Sequence, residues 1–366
     1  VLFIIFILLL VIAVPVSITL GITSVLPSVC DPSFTVGAKY LIRAMFGGLD
    51  SFPLLAVPMF VLSGIIMAKG GISKKLFDVF AYFLGKFTAG MPCAVIVTCL
   101  FYGAISGSAP ATVAAVGSMT IPILSNLGYD LTFSTAIVAV AGGLGVIIPP
   151  SIPFIMYGMA SGASVSDLFL AGIIPGLMIG ILLMIYAIYH CRRYGEDKAK
   201  IHAEVQELHN KGLLKVLRES FFAILSPVII LGCIYSGVAS PTEAAVISVF
   251  YALIISLFVY RSIHIRDIWG ILVEAIRTFT PILFILAAST AFSRVLTLMQ
   301  VPQTVSEFIL NNFHSPVAIL LIINIFLLIV GMVMDTTPAI LILTPILLPI
   351  VEAIGMDPIQ FGVIMV

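Results

Sequence analysis

The residues of this chain best suited to chemistry are oxygen donors in two short polar interruptions of apolar sequence. The first is Gly103-Ala104-Ile105-Ser106-Gly107-Ser108-Ala109-Pro110-Ala111-Thr112. Ser106, Ser108 and Thr112 offer hydroxyl oxygens, and Gly103 and Gly107 are expected to free their backbone carbonyls. The second, Gly331-Met332-Val333-Met334-Asp335-Thr336-Thr337-Pro338-Ala339, begins 228 residues later and adds a carboxylate and two hydroxyls. Unwound carbonyls and helix C-termini coordinate a cation such as Na⁺, whereas helix N-termini favour an anionic group. Gly145 and the break at Pro149-Pro150-Ser151 could bring a further carbonyl to the first tip. Asp335 is the sole ionisable residue between Ser315 and Ile350. A charge at the bilayer centre costs about 2.5–3.5 kcal/mol on insertion scales, which makes Asp335 a functional candidate. It reads equally as the cap of a half-helix starting at Pro338, and the two roles are compatible.

Apolar runs flank both interruptions: Ala94 to Tyr102 and Val113 to Leu124 around the first, Ala318 to Val330 and Ile340 to Ile350 around the second. Each run is about half the roughly 20 residues that a helix needs to cross a bilayer. The expectation is therefore two re-entrant helical hairpins, with irregular backbone tolerated only where protein buries it or it lines a cavity. Two kinked core helices with Ser/Thr caps would explain either segment alone. The pairing of Gly103 with Gly331, Pro110 with Pro338 and Ala111 with Ala339 favours a matched transport site in two halves of a secondary transporter.

Composition agrees with a polytopic, all-α membrane protein. The 366 residues are 61% hydrophobic and 9% charged, with a mean hydropathy of +1.24; a soluble domain carries about 25% charged residues. Zero net charge leaves no nucleic-acid footprint. Five scattered cysteines (Cys30, Cys93, Cys99, Cys191, Cys233) without a CxxC predict neither a disulfide framework nor a metal site, and read as small buried hydrophobes.

In chain order, residues 1–26 read as a span, being too long for a signal-peptide core and lacking a basic leader. The absence of an initial methionine suggests a missing N-terminus. A mixed loop and short arm (27–51) follow, then a span from Phe52 to about Ala68, and a short amphipathic segment with Lys69, Lys74, Lys75 and Lys86. Hairpin one covers about 88–124. A broken helix (131–160) and a span from about Leu168 to Tyr189 complete a first repeat, residues 1–189. Residues 190–220 hold seven of the 17 Lys/Arg and read as a surface helix, on which His202 and His209 belong to a solvated face. The second repeat, 221–366, has spans Phe221–Val238 and Pro241–Tyr260, the latter opened by a capping box at Ser240 and Glu243. An arm from Arg266 leads to a span from about Thr278 to Val295. A polar piece, Gln300–Asn312, then precedes hairpin two (about 315–351). With 190–220 in the cytoplasm, Lys69, Lys74, Lys75, Lys86, Arg261 and Arg266 fall on the same side, making 13 of the 17 basic residues. This follows the positive-inside rule. The same count sends the two hairpins in from opposite faces, which makes the halves inverted repeats.

The run Gly103–Thr112, the Pro149-Pro150-Ser151 break, Ser240-Pro241-Thr242-Glu243-Ala244-Ala245 and Met334-Asp335-Thr336-Thr337-Pro338-Ala339 closely resemble the large membrane (M) subunit of tripartite ATP-independent periplasmic (TRAP) transporters, over essentially the whole chain. The resemblance implies a bacterial inner-membrane, Na⁺-coupled symporter of organic acids such as C4-dicarboxylates or sialic acid. It also implies an elevator mechanism, in which a domain holding both hairpins slides through a static scaffold. The expected partners are a small four-helix membrane subunit (Q) and a periplasmic substrate-binding protein (P), with no cofactor beyond the coupling ion and no transition metal. On these motifs Na⁺ is expected at Gly103, Ser106, Gly107, Ser108, Gly145, Gly331, Asp335, Thr336 and Thr337. The substrate is expected at Ser108, Pro110, Thr112, Pro149, Pro150, Ser151, Thr337 and Pro338. No arginine sits at either tip, so backbone dipoles and neutral side chains are expected to hold the anion. Family members continue with a second Pro-Pro break and a further span, so the C-terminal repeat is expected to be incomplete by ~45–60 residues, two spans of ~20 each.

Two rival functions fit less well. An ABC-type permease is suggested by Glu243-Ala244-Ala245, which is superficially similar to its coupling motif, but the triplet opens a capped helix on the non-cytoplasmic side. An intramembrane protease needs a base beside its serine or a second carboxylate beside its aspartate. His190 and His314 lie at span edges, and Asp335 has no intramembrane partner in sequence. The chain is read as a transporter, not an enzyme.

Overall fold

The computed structural model describes every residue except Val1, Asp31, Pro32, Ser33, Thr35, Val36 and His314, so the edge position read for His314 lies outside the described residues. Every element among them is helical. In chain order these are α1 (Leu2–Val11), α2 (Val16–Cys30), α3 (Ala38–Leu49), α4 (Ala56–Lys69, led in by a turn at Phe52–Leu55), α5 (Ile72–Leu84), α6 (Gly90–Ser106), α7 (Ala109–Asn126), α8 (Leu131–Gly142), α9 (Leu144–Ile147) and α10 (Ile152–Ser161). They continue with α11 (Val165–Tyr194), α12 (Lys198–Asn210), α13 (Leu213–Tyr235), α14 (Pro241–Ile254), α15 (Ile268–Leu298), α16 (Val301–Asn312), α17 (Pro316–Val333), α18 (Thr336–Ala353) and α19 (Pro358–Met365). Among the described residues seven helical segments are long and apolar enough to cross a membrane, or eight if α8–α9 and α10, bent by 42° at their break, form one span. The chain is a multi-pass membrane protein.

Three expectations about the elements change. The first apolar run is two helices, because Pro15 has no N–H to continue the ladder and Ala13 adopts a left-handed φ of 64°. The arm read from Arg266 is a short turn at Ile265–Asp267 and, from Ile268 on, part of α15, a continuous helix of 31 residues. The hairpin arms are longer than their apolar cores, with 17 and 18 residues in α6 and α7 and 18 in each of α17 and α18. Pro110 opens α7 within its first turn, where a missing N–H costs nothing. Inside the arms, hydroxyls bond back to the preceding turn, as Thr98 does to the Ala94 carbonyl (2.6 Å) and Thr120 to that of Val116 (2.8 Å).

The chain forms two compact units, each assembled from separated stretches. The first comprises Val1–Leu55, Pro153–Ser164 and Ile276–Val366. In it Leu41, Ala291 and Val295 form a small core beside Phe34, Ala44 and Met45, and Phe6 stacks on Phe292 at 5.8 Å. α18 packs against α16, α17 and α19. The Tyr157 hydroxyl of α10 donates to the Pro358 carbonyl at the start of α19 (2.6 Å).

The second unit comprises Ala56–Ile152 and Val165–Ala275. Here α4 runs along α14, α5 packs on α6, α12 and α13, and α6 to α9 form one cluster covered by α11. Lipid is as apolar as leucine, so close backbone approach rather than burial from water must hold such helices together. The exposed face of α11 is apolar, with Ile174, Met178, Ile181, Leu182 and Ile185 along it, as a lipid-facing helix requires. The connector is shorter than read: only α12 stands alone, while residues 190–194 end α11 and 213–220 begin α13. His202 is exposed, but His209 is not simply solvated; its ring stacks on Tyr82 at 4.0 Å. Cys93, Cys99 and Cys191 are buried, and Cys30 is exposed.

Candidate functional site

The first site belongs to the second unit and starts from the way α6 ends. Gly107 adopts a left-handed φ of 61°, which glycine tolerates without cost, and its N–H bonds the Gly103 carbonyl at 2.9 Å. Ser108 is extended and α7 begins at Ala109, so the two arms meet across two residues. At this tip Ser106 Oγ and Thr112 Oγ1 lie 2.8 Å apart. Thr112 Oγ1 donates to the Ser108 carbonyl (2.9 Å), to which Ser106 Oγ also points (3.4 Å). Three oxygens thus converge at a point where Ser106 and Thr112 are almost wholly buried.

The broken helix closes over this tip. A methyl on Gly103 would stand 2.6 Å from the Gly145 Cα, and one on Gly145 would stand 2.5 Å from Thr112 Oγ1. The two glycines let α6, α9 and the tip touch backbone to backbone. Beyond α9, Pro149-Pro150 is a cis peptide, the buried Ser151 hydroxyl donates to the Val146 carbonyl, and the Ile152 N–H reaches the Gly107 carbonyl at 3.1 Å. A methyl on Gly107 would meet the Pro150 carbonyl oxygen at 2.7 Å. Gly103, Ser106, Gly107, Ser108, Thr112, Gly145, Pro150 and Ser151 are therefore one cluster, with Pro149 buried beside it; Pro110 is exposed. The carbonyls of Gly103 and Gly107 are not free as expected, since each accepts one bond, but a carbonyl has a second lone pair to offer.

Sequence reasoning missed the floor of this cluster. Gly64 of α4 lies against Ser106, with an added methyl only 3.2 Å from its Cα. Tyr102, fully buried, donates its hydroxyl to the Gly64 carbonyl (3.1 Å). The signal available was a lone tyrosine directly before Gly103 in an apolar helix.

The second site belongs to the first unit. Asp335 occupies the N-cap position of α18, which starts at Thr336 rather than Pro338, and its side chain makes no capping bond. It is exposed and lines a cavity of about 330 Å³ with Met334, Pro338 and, from the α1–α2 break, Ala13, Val14 and Pro15. Thr337 and Pro338 are buried, Thr336 is half-buried, and Gly331 is exposed with nothing within 4 Å of where its Cβ would be. The break at Pro15, hidden inside an apolar run, is the element that sequence did not connect with Asp335.

Residues 3–366 match the family described as Tripartite ATP-independent periplasmic transporter, DctM component. The chain belongs to this family. It is 43% identical over 361 residues to the isethionate TRAP transporter permease protein DctMQ of Oleidesulfovibrio alaskensis, covering 99% of this chain and 56% of that protein. It is 39% identical to the C4-dicarboxylate TRAP transporter large permease protein DctM of Pseudomonas aeruginosa, covering 88% of this chain and 74% of the relative. With the sialic acid TRAP transporter large permease protein SiaM of Vibrio cholerae it shares 33% identity, over 90% and 76% of the two chains. The chain thus spans a little over half of the first relative and about three-quarters of the other two. Family and apolar spans together make it a multi-pass inner-membrane protein.

Proposed function

We propose that this chain is the large permease subunit of a Na⁺-coupled importer of a small organic acid anion. The observation that carries the reading is the oxygen cluster of Ser106, Thr112 and the Ser108 carbonyl, buried and pinned by the Gly103–Gly145 contact. An all-oxygen set at a helix break suits a hard cation, and the N-terminus of α7 beside it suits a carboxylate or sulfonate. Asp335, with Thr336 and Thr337, is the second cation candidate, acting as ligand rather than cap. The relatives named for isethionate, C4-dicarboxylates and sialic acid support an organic anion as cargo. In this reading the two hairpins are re-entrant elements of inverted repeats, entering from opposite faces, and the elements bearing them move as an elevator. Residues 190–220 lie in the cytoplasm. A small membrane subunit and a periplasmic binding protein complete the transporter, which performs no covalent chemistry.

The test is uptake into proteoliposomes holding the full-length permease, its small membrane partner and the binding protein, with labelled isethionate, succinate and sialic acid. Uptake of one of these that needs both the binding protein and an inward Na⁺ gradient is expected. Uptake that requires ATP, or that follows a proton gradient and ignores Na⁺, overturns the proposal.

A further inference from the structure

The two chain ends that bracket the α6–α7 pair, at Ala89 and Tyr129, meet a single side chain from a distant part of the sequence. Glu196 Oε1 accepts the Ala89 backbone N–H at 2.9 Å and the Tyr129 hydroxyl at 2.6 Å. The local chain explains how it gets there. Gly195, at φ 81°, closes α11 by bonding its N–H to the Cys191 carbonyl (2.9 Å), and so turns the next residue back toward the hairpin base. Gly128, at φ 92°, ends the turn after α7 and brings Tyr129 to the same place; a methyl there would lie 3.3 Å from the Asp197 Cβ. Ala89 stands at the N-cap of α6 in a left-handed conformation (φ 59°); the N3 residue, Pro92, has no side-chain oxygen to reach back to the Ala89 N–H, and Glu196 accepts it instead. Asp197, next in sequence, caps α12 through the Lys200 N–H (3.3 Å), which ties the latch to the connector helix. His190 closes the corner, stacked on Phe133 at 4.0 Å and against Tyr194 at 4.5 Å. Burial, and the bond donated to Glu196, hold the Tyr129 phenol well above its ordinary pKa, so it stays a donor.

We infer that Glu196 is a positioning residue, a latch by which the connector between the halves of the chain clamps both ends of the first hairpin and so keeps its tip oxygens in register. The inference rests on the proposed cation role of that tip for its meaning in transport. The latch itself is testable without Na⁺ or substrate. A carboxylate serving two donors is the strongest bond set at the base, since hydrogen bonds to charged groups exceed neutral ones. Alanine removes both bonds, glutamine keeps an acceptor oxygen without the charge, and Tyr129→Phe removes one bond alone.

The experiment is hydrogen–deuterium exchange of the purified full-length subunit in detergent, comparing wild type with Glu196→Ala, Glu196→Gln, Tyr129→Phe and, as control, Glu204→Ala on the exposed face of α12. Exchange in residues 86–93 and 127–131 is expected to quicken at least tenfold in Glu196→Ala, about fivefold in Tyr129→Phe, and less in Glu196→Gln. The peptide over 103–112 should quicken with them, while α4 and α14 and the Glu204→Ala protein stay at wild-type rates. Unchanged exchange at either base segment overturns the latch, as does a quickened base with an unchanged tip. A uniform rise across α4 and α14 shows general loosening and also overturns it. If the exchange pattern holds but uptake proves Na⁺-independent, the latch stands and the cation reading fails.

Discussion

Replacing Gly103 with alanine puts a methyl where the backbone of α9 already sits. The new Cβ would lie 2.6 Å from the Gly145 Cα and 3.1 Å from its N, against about 3.4 Å for ordinary contact. Neither atom is the end of a flexible side chain, so α6 and α9 must separate by about 0.8 Å. Overpacking of this kind costs about 1–3 kcal/mol, partly offset by the roughly 1 kcal/mol that alanine gains over glycine within a helix. The net loss is about 0–2 kcal/mol, and because Gly145 also backs Thr112 the shift reaches the tip oxygens. A misplacement approaching 1 Å can cost up to about a hundredfold in a positioned site. The half-saturating Na⁺ concentration for uptake is expected to rise roughly ten- to a hundredfold, with a thermal midpoint at or a few degrees below wild type. The control is Gly232→Ala on α13, away from both tips, where nothing lies within 4 Å of the added methyl; it should leave Na⁺ dependence unchanged. If Gly103→Ala keeps the wild-type Na⁺ dependence, the reasoning that the glycine contact sets the tip geometry is refuted.

Three further outcomes follow from the structure. Asp335→Ala should leave the thermal midpoint within error, because no capping bond is lost, while the half-saturating Na⁺ concentration for uptake rises at least tenfold; a stability loss of about 1 kcal/mol with normal Na⁺ dependence would restore the cap reading. Ser240→Ala should show the reverse. It removes a capping box in which Ser240 Oγ accepts the Glu243 N–H (3.3 Å) and the Ser240 N–H reaches Glu243 Oε2 (2.8 Å), costing about 1 kcal/mol in thermal unfolding with uptake kinetics intact. On the amphipathic α5, burial raises the Asp78 pKa above 3.8 despite Lys74, Lys211 and Lys75 nearby. The folded protein then binds its proton more tightly than the unfolded chain, so stability falls as pH rises from 3.8 through the raised value. Asp78→Asn should abolish that decline and raise the thermal midpoint at pH 7; a lower midpoint at pH 7 would refute this.

What the sequence made legible was whatever repeats or punctuates. The helix breaks at Gly107-Ser108 and Met334-Asp335 are marked by small and polar residues before a proline, and the capping box at Ser240 by its spacing. The chain-distant contacts were not legible. Gly64 looks like any small residue in α4, yet it sets how closely α4 approaches Ser106. Glu196 sits in a charged turn that reads as solvated, and only the fold brings it to Ala89 and Tyr129. Pro15 was overridden by the apolar run around it, although a missing N–H and a left-handed Ala13 suffice to split the helix. The half-length arms failed for the opposite reason. The whole stretches Gly103–Thr112 and Gly331–Ala339 read as interruptions, but the helices run on through Gly103–Ser106 and Gly331–Val333 and resume at Ala109 and Thr336, so each break is only two residues long.

The most direct measurement of the central claim is equilibrium binding of radiolabelled Na⁺ to the purified full-length subunit, wild type against the Ser106→Ala/Thr112→Val double variant. The hydroxyls removed are the pair 2.8 Å apart at the first tip. Saturable binding to the wild-type protein, weakened at least tenfold in the variant, is the predicted result. Equal binding to both proteins would contradict the assignment of the coupling ion to this cluster.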